Sequence, residues 1–457
     1  MKILIVGGGI GGYVCALRAA QLGANVTLAE KKRIGGTCLN EGCIPTKSLL
    51  ESAQLLDAAR QAKDLGVVVE GEPRADFSRM QARKQEVVDQ LVHGIGLLLE
   101  KGSIEVITAD VRLTGATTAR INEEEKSYDA VVLATGSVPT VLPIDGMDLE
   151  GVIDSTGALA LEEIPASMAI VGGGVIGTEF ASLFSSLGTK VTVIEMMERI
   201  VPPMDPDISE MLRMTLEHRG IQIHTGAKVQ HIQNDDGLKV VFEQNGNVQE
   251  VHAEKVLVAT GRSPVTDAVD PIRSALQMDR VFVRVDANMQ TNLKGLYAIG
   301  DVTGKSMLAH TAEEMGVRAA ERIMGKKTRP IDYEKIPACL YTHPEAASCG
   351  YTEPRAQERG YTVQTGIFPL FNNARTLIAG QADNTFVKVV ADKETGELLG
   401  VHLFGPYATE LIAEAALAME LECTVQELID TIHPHPTVSE GLKEGAAAVL
   451  GTAIHAL

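Results

Sequence analysis

The sequence lacks any apolar run of transmembrane length, which excludes a bilayer-spanning helix as its organising element. Its apolar start, MKILIV, runs at once into glycines and closes on no small-residue cleavage site. It therefore reads as a first β-strand rather than a secretion signal, and a cytoplasmic protein is expected. Positive charge is short: 41 Lys and Arg stand against 60 Asp and Glu, a net charge of −19. That excess argues against a nucleic-acid backbone as ligand and leaves room for a basic protein partner. Cysteine is sparse as well, six in 457 residues, which excludes a scaffold stapled by disulfides. Only Cys38 and Cys43 are close together in an informative context; Cys15, Cys339, Cys349 and Cys423 read as small buried hydrophobes. The length itself exceeds one hydrophobic core and implies about three or four domains.

What is present is a repeat. Residues 3–30 read ILIVGGGIGGYVCALRAAQLGANVTLAE, and residues 169–195 read AIVGGGVIGTEFASLFSSLGTKVTVIE. Each copy is an apolar strand, G-x-G-x-x-G, a helical pattern, and a second apolar strand ending in Glu. The glycines are Gly7, Gly9 and Gly12, then Gly172, Gly174 and Gly177; Glu30 and Glu195 each follow the first glycine by 23 positions. A lone G-x-G-x-x-G says little, but strand, helix and acid in place make a dinucleotide fingerprint. The first glycine permits the tight turn, the second lets backbone approach a pyrophosphate, and the third lets helix and strand pack closely. The helix N-terminus faces the phosphates and the acid accepts from a ribose. Two fingerprints and a nearby cysteine pair point to a flavin and nicotinamide relay acting through sulfur.

Between the copies, residues 48–101 carry helical periodicity, and residues 103–133 read as short strands ending in the buried DAVVLATG. A similar exit, EKVLVATGRSP, recurs at 254–264. Residues 281–301 read as strands ending at Asp301, and 307–325 as a helix. From about residue 336 the pattern turns to alternating strands followed by two helices, ATELIAEAALAMELE and the segment after His435.

Cys38 and Cys43 pose a geometric problem. Residues five apart on a regular helix have Cα atoms about 8–9 Å apart, and a disulfide needs them within about 7 Å. The segment must be distorted, and Gly42 and Pro45 are placed to allow it. A metal site would need two further ligands that the neighbourhood does not offer.

In this order, GGGIGGYVCALRAAQLG, Glu30, GGTCLNEGCIPTK, YAIGD, MLAHTAEE and HPHPTVSE resemble the flavin-dependent disulfide reductases of the class I pyridine nucleotide-disulfide oxidoreductase family, and among these the dihydrolipoyl dehydrogenases. The resemblance runs from residue 2 to about 456. It implies an α/β chain with two Rossmann-like dinucleotide-binding domains and a C-terminal α+β dimerisation domain. The expected boundaries are 1–140 for FAD, 141–265 for NAD, 266–335 for a central domain and 336–457 for the interface. The activity it implies is flavin-dependent oxidation of protein-bound dihydrolipoyl groups by NAD through a redox-active disulfide.

The resemblance also implies residue roles. Gly7, Gly9, Gly12, Glu30, Lys47, Asp301, Leu308 and Ala309 contact FAD, and Gly136 ends the matching strand of that domain. The helix starting near Leu308 and Ala309 aims its amides at the flavin, where its dipole favours negative charge. Cys38 exchanges with substrate, and Cys43 lies against the flavin. Lys47 pairs with Glu179 beside the flavin; read alone, Glu179 is a first-turn helix acid. Exchange needs a thiolate and hence a base. His435 is the candidate, with Glu440 to orient it. Thr437-x-x-Glu440 is equally a capping box, so residues alone leave both readings open. His433 is a neighbour only. In this family the two halves meet across a homodimer: Cys38 and Cys43 from one subunit, His435 and Glu440 from the other. The expected partners are lipoyl-bearing proteins of a 2-oxo acid dehydrogenase or related complex.

Glu195 would repel a 2′-phosphate, and only Arg199, beside Glu198, is near, so NAD is expected. Val229 and Gly261 are the other matching NAD positions. Another disulfide reductase is the first alternative, but the sequence shows GTAIHAL where a mercuric reductase has a terminal cysteine pair, and Val175 and Glu195 where glutathione reductases carry an aromatic gate and arginines. A flavin diaphorase or transhydrogenase is the second, opposed by the intact cysteine pair and HPTVSE. Departures from the family pattern occur at Ala109-Asp110, Val265, 267–280 and Met315.

Overall fold

The computed structural model describes residues 1–381 and 383–456, so the last residue of the expected 336–457 segment lies outside it. The chain divides into two compact units. The first comprises residues 1–48, 78–140 and 261–333. Its centre is a five-stranded parallel sheet in the order Leu296–Ala298, Ala130–Leu133, Lys2–Val6, Asn25–Glu30, Glu105–Thr108. Lys2–Val6 is apolar without alternation because the strand is covered on both faces, as parallel strands are. The helix Ile10–Gln21 leaves that strand through the first fingerprint and crosses Ala309–Ile323 at backbone distance. A Cβ on Gly316 would lie 2.5 Å from the Gly11 carbonyl oxygen, and one on Gly11 would lie 2.9 Å from that of Ala312. Cys15 is sealed in this crossing, and burial pushes its thiol up to about 12, as befits an inert core residue. Met315, a departure from the family pattern, is fully buried in the same core.

The second unit comprises residues 49–77, 141–260 and 334–457. It repeats the parallel arrangement: Gln222–His224, Lys190–Ile194, Ser167–Val171, Lys255–Val258, Val152–Ile153, with Val175–Ser186 as the fingerprint helix. A three-stranded antiparallel sheet spans 227–253. The C-terminal part is a five-stranded antiparallel sheet, ordered Ala338–Leu340, Glu345–Gly350, Leu398–Gly405, Phe386–Asp392, Val363–Pro369. It shares one core with the helices Ala408–Glu420, Val425–Asp430 and Glu440–Val449. The fold is α/β with two Rossmann-like sheets and an α+β C-terminal part. Among the described residues no helix is long and apolar enough to cross a membrane.

Two sequence expectations are corrected. Residues 281–301 hold only the short strands Phe282–Val283 and Leu296–Ala298. The Asp286 carboxylate accepts from the amides of Asn288 and Gln290 and bends the chain between them, a local bond that competes with a sheet ladder. Three helices rather than two follow the last strand: Thr424 and Glu427 form a capping box that starts Val425–Asp430.

Candidate active site

The two fingerprints are built alike. A Cβ on Gly7 would lie 2.2 Å from the Ala134 oxygen, and one on Gly172 would lie 2.5 Å from that of Ala259. Both first glycines also need positive φ, +107° and +106°. A Cβ on Gly12 or Gly177 would strike the carbonyl of the first glycine at 1.9 or 2.0 Å. The second glycines differ in kind: Gly9 has nothing nearer than 3.8 Å and Gly174 nothing within 4 Å. That open side is where a pyrophosphate can approach. Neither fingerprint helix carries an acid or a side-chain cap in its first turn, so the N-terminal amides are left to an anion.

Glu30 and Glu195 have a task beyond the ribose. Glu30 accepts from the amides of Gly8 and Lys32, both at 2.7 Å. Glu195 accepts from Gly173 at 2.6 Å and Met197 at 2.7 Å. Each acid braces the glycine turn with one oxygen and the following chain with the other. A carboxylate has about four acceptor positions, so each retains capacity for a ribose diol.

The sulfur pair lies just downstream of Glu30. The helix Gly36–Glu41 ends at Gly42 (φ −152°, ψ −111°), and a new helix, Cys43–Gln61, starts on the next residue. The expected distortion is thus a full break. A Cβ on Gly42 would press to 3.0 Å from the Thr37 oxygen. Pro45 sits in the first turn of the new helix, where its missing N–H costs nothing. Cys38 and Cys43 are thiols in hydrogen-bond contact. That bond, then burial, pushes the Cys38 thiol up, while the Lys47 charge pulls it down. The Cys43 backbone also bonds to Cys38 and pulls its thiol down, against the larger effect of the neighbouring thiol.

Around the same fingerprint, Asp301 occupies a 3₁₀ turn, Gly300–Thr303. Its Oδ2 accepts from Ser137 Oγ at 2.5 Å, and Ser137 Oγ accepts from Arg262 Nε at 2.7 Å. Ser137 and Arg262 were missed by sequence reasoning, although both stand in the recurring ATG strings. Gly136 and Gly261 lie in left-handed turns (φ +69° and +112°), each open on its Cβ side. The amides of Val265 and Thr140 donate to their carbonyls, so the two ATG exits pair as one small antiparallel sheet. Leu308 is the N-cap of Ala309–Ile323, with no side-chain cap and no acid in the first turn.

In the second unit, His435 Nδ1 and Glu440 Oε1 are 2.9 Å apart, and Glu440 Oε2 accepts from the Thr437 amide at 2.9 Å. The dyad and the cap are therefore not alternatives: each takes one carboxylate oxygen. Burial pushes the Glu440 carboxyl up, but the Thr437 amide and His435 outweigh it and hold it below the usual range. The box itself is only half made. Glu440 is the first helical residue, and Thr437 Oγ1 turns to the Pro434 oxygen. His435 is largely exposed. His433 has both ring nitrogens engaged, by Glu414 and the Thr431 carbonyl, which suits its reading as a neighbour.

Glu179 is corrected as a first-turn acid. The helix starts at Val175, so Glu179 is its fifth residue, buried, and its carboxylate accepts from the Tyr341 amide at 3.1 Å. Val229 lies on Ala227–Asn234, beside an irregularity in its pairing with the next strand.

Residues 1–316 match the family described as pyridine nucleotide-disulphide oxidoreductase, and residues 336–446 match its dimerisation domain. Dihydrolipoyl dehydrogenase of Bacillus subtilis (strain 168) is 42% identical over 469 residues, covering 99% of this chain and 98% of that protein. Dihydrolipoyl dehydrogenase of Thermus scotoductus is 41% identical over 461 residues, covering 100% and 98%. Among solved structures, LpdA from Mycobacterium tuberculosis aligns with TM-score 0.89 at 28% identity, covering 98% of this chain and 99% of that one. The HOCl-induced flavoprotein disulfide reductase RclA from Escherichia coli aligns at 0.87 and 28%, covering 98% and 99%.

Proposed function

The chain belongs to the pyridine nucleotide-disulphide oxidoreductases, and from that premise we propose that it oxidises protein-bound dihydrolipoyl groups with NAD, using FAD and the Cys38–Cys43 pair. The observation that carries this is the helix break at Gly42, which brings two sulfurs into contact directly after a dinucleotide fingerprint. Identity above 40% to proteins named dihydrolipoyl dehydrogenase over the whole chain selects the dithiol substrate. The first fingerprint fits FAD: an open Gly9, spare acceptor positions on Glu30, Asp301 oriented by Ser137, and two uncapped helix starts. The second fits NAD at Gly172, Gly174, Gly177 and Glu195, with Val229 and Gly261 as further contacts.

In the oxidised pair, His435 Nε2 takes a proton from one dihydrolipoyl thiol, and the thiolate attacks Cys38 Sγ. The Cys38–Cys43 bond breaks and Cys43 leaves as thiolate. The second dihydrolipoyl sulfur then closes the lipoyl disulfide and releases Cys38, so one disulfide forms as one is reduced. Glu440, already ionised, holds Nδ1 of the imidazole and stabilises its charged form. FAD, held at Gly7, Gly9, Gly12, Glu30 and Asp301, would supply the two-electron link between the reduced sulfurs and NAD. Lys47, whose charge acts on Cys38, lies on the same helix as Cys43. The dimerisation domain makes the protein a homodimer, and His435 of the partner subunit serves the sulfurs of this one. The dithiol must cycle between its two states, which suits the cytoplasm, and the substrate is a lipoyl group on a 2-oxo acid dehydrogenase or related complex.

The test is a steady-state comparison of dihydrolipoamide, glutathione and coenzyme A disulfides with NAD and NADP. Dihydrolipoamide with NAD should exceed every other combination in kcat/KM by at least about 10²-fold, or about 2.8 kcal/mol in transition-state binding. Equal or greater turnover of another disulfide with NADP overturns the assignment.

A further inference from the structure

Away from the sulfurs the second unit buries an ionic cluster that the reaction does not use. Lys388, on Phe386–Asp392 of the C-terminal sheet, is 5% exposed, and Asp205 is 0% exposed. Lys388 Nζ donates to Asp205 Oδ1 at 3.2 Å and to Asp207 Oδ2 at 2.7 Å, with Glu353 Oε2 at 3.5 Å. Asp205 Oδ1 also caps the helix Pro206–His218 by accepting from the Asp207 amide. Its Oδ2 is buried with no hydrogen-bond partner and lies 3.9 Å from His402 Nε2. His402, fully buried, spends that N–H on the Tyr351 carbonyl and accepts from Ser348 at Nδ1, so it stays neutral. Lys388 is thus the cation that holds Asp205 in place. Such a pair is costly to bury and more costly to break, so its position calls for an account.

Asp205 closes the loop that begins at Glu195. The Met197 amide donates to Glu195 Oε1, and the Val201 amide donates to the Gly173 carbonyl at 2.8 Å. A Cβ on Gly173 would lie 2.9 Å from the Ile200 side chain, so the loop is pressed against the fingerprint turn. The Met204 amide returns to the Val201 carbonyl, and the next residue is Asp205. Residues 195–205 therefore run from the ribose acid, over Gly173 between the first two glycines of the NAD fingerprint, to the buried lysine.

We infer that Lys388 is a positioning residue for NAD: through Asp205 it holds the loop 196–205 against Gly173 and Glu195 and so sets the affinity of the second fingerprint. This rests on the reading of that fingerprint as the NAD site. The experiment is Lys388→Met in the FAD-loaded dimer, with calorimetric Kd for NAD and steady-state constants for both substrates. Kd and KM for NAD should rise about tenfold, with FAD content and the KM for dihydrolipoamide held within twofold, and Lys388→Arg should recover part of the loss. A folded variant with wild-type NAD affinity, or one that loses affinity for both substrates equally, overturns the inference. Should Lys388→Met fail to fold, Asp207→Asn carries the test, because Asp207 is half exposed and gives up only one contact. It should raise the NAD Kd about threefold, and an unchanged Kd overturns the inference. A wild-type enzyme that binds NADP in place of NAD overturns the underlying reading instead.

Discussion

The two fingerprints grip alike and are enclosed differently. Glycine for glycine and acid for acid, the copies at 7–30 and 172–195 share turn geometry, forbidden Cβ positions and braced carboxylates. Two of the differences between their helices are instructive. Gly11 faces Ile176, and Val14 faces Glu179 in the alignment of the copies. Gly11 is small because another helix backbone lies on it, whereas Ile176 is half-buried. Glu179 is a buried acid because the Tyr341 amide meets it, and Val14 has no such duty. What a nucleotide demands is repeated; what the neighbouring chain demands is not.

The largest expected effect separates the sulfur from the grip. Cys43→Ser should cut dihydrolipoamide-linked NADH formation by at least about 10⁴-fold, as when one member of a catalytic unit is removed. FAD should remain bound, since no contact at Gly7, Gly9, Gly12 or Glu30 uses sulfur; stopped-flow and absorbance spectra check both halves. Turnover within tenfold of wild type would sever the first fingerprint from the chemistry. Next come the paired acids. Each accepts two amides, and a hydrogen bond to a charged group contributes about 1.5–3 kcal/mol, about ten- to a hundredfold in affinity. Glu195→Ala should raise the NAD Kd by that factor and spare FAD, and Glu30→Ala should do the reverse, seen as flavin lost on gel filtration. Crossed effects would break the assignment of the two sites. The smallest effect concerns enclosure. Gly11→Ala should cost about 1–3 kcal/mol by overpacking, while the volume-conserving Ile176→Met costs less than about 1.5 kcal/mol. Urea midpoints of the two holoenzymes measure this, and equal losses would mean that the helices are equally enclosed.

The fold was legible where the demand is local. Glycines and an acid within one strand-helix-strand unit announce a nucleotide turn, and six short strings placed the sulfurs, Asp301 and His435. Read alone as a first-turn acid, Glu179 fails because the start of a helix cannot be placed to the residue from sequence, and a small shift moves an acid from the macrodipole to the interior. Glu440 could not be decided between two tasks because a carboxylate has two oxygens and performs both. Lys388 and Asp205 are 183 positions apart, and nothing in FVKVVAD or PMDPDI mentions the other. Long-range ion pairs leave no periodic trace, so that cluster is visible only when the chain is folded.

The break at Gly42 does more than let two sulfurs meet. It makes Cys43 the opening residue of a 19-residue helix, while Cys38 stays inside a helix of six. The dipole of a helix is positive at its start, which favours an anion by about 0.3–1 kcal/mol and lowers a thiol placed on it. The single residue that shortens the distance between the sulfurs thus also makes them electrically unequal, and an otherwise symmetric dithiol acquires a direction in which to pass electrons.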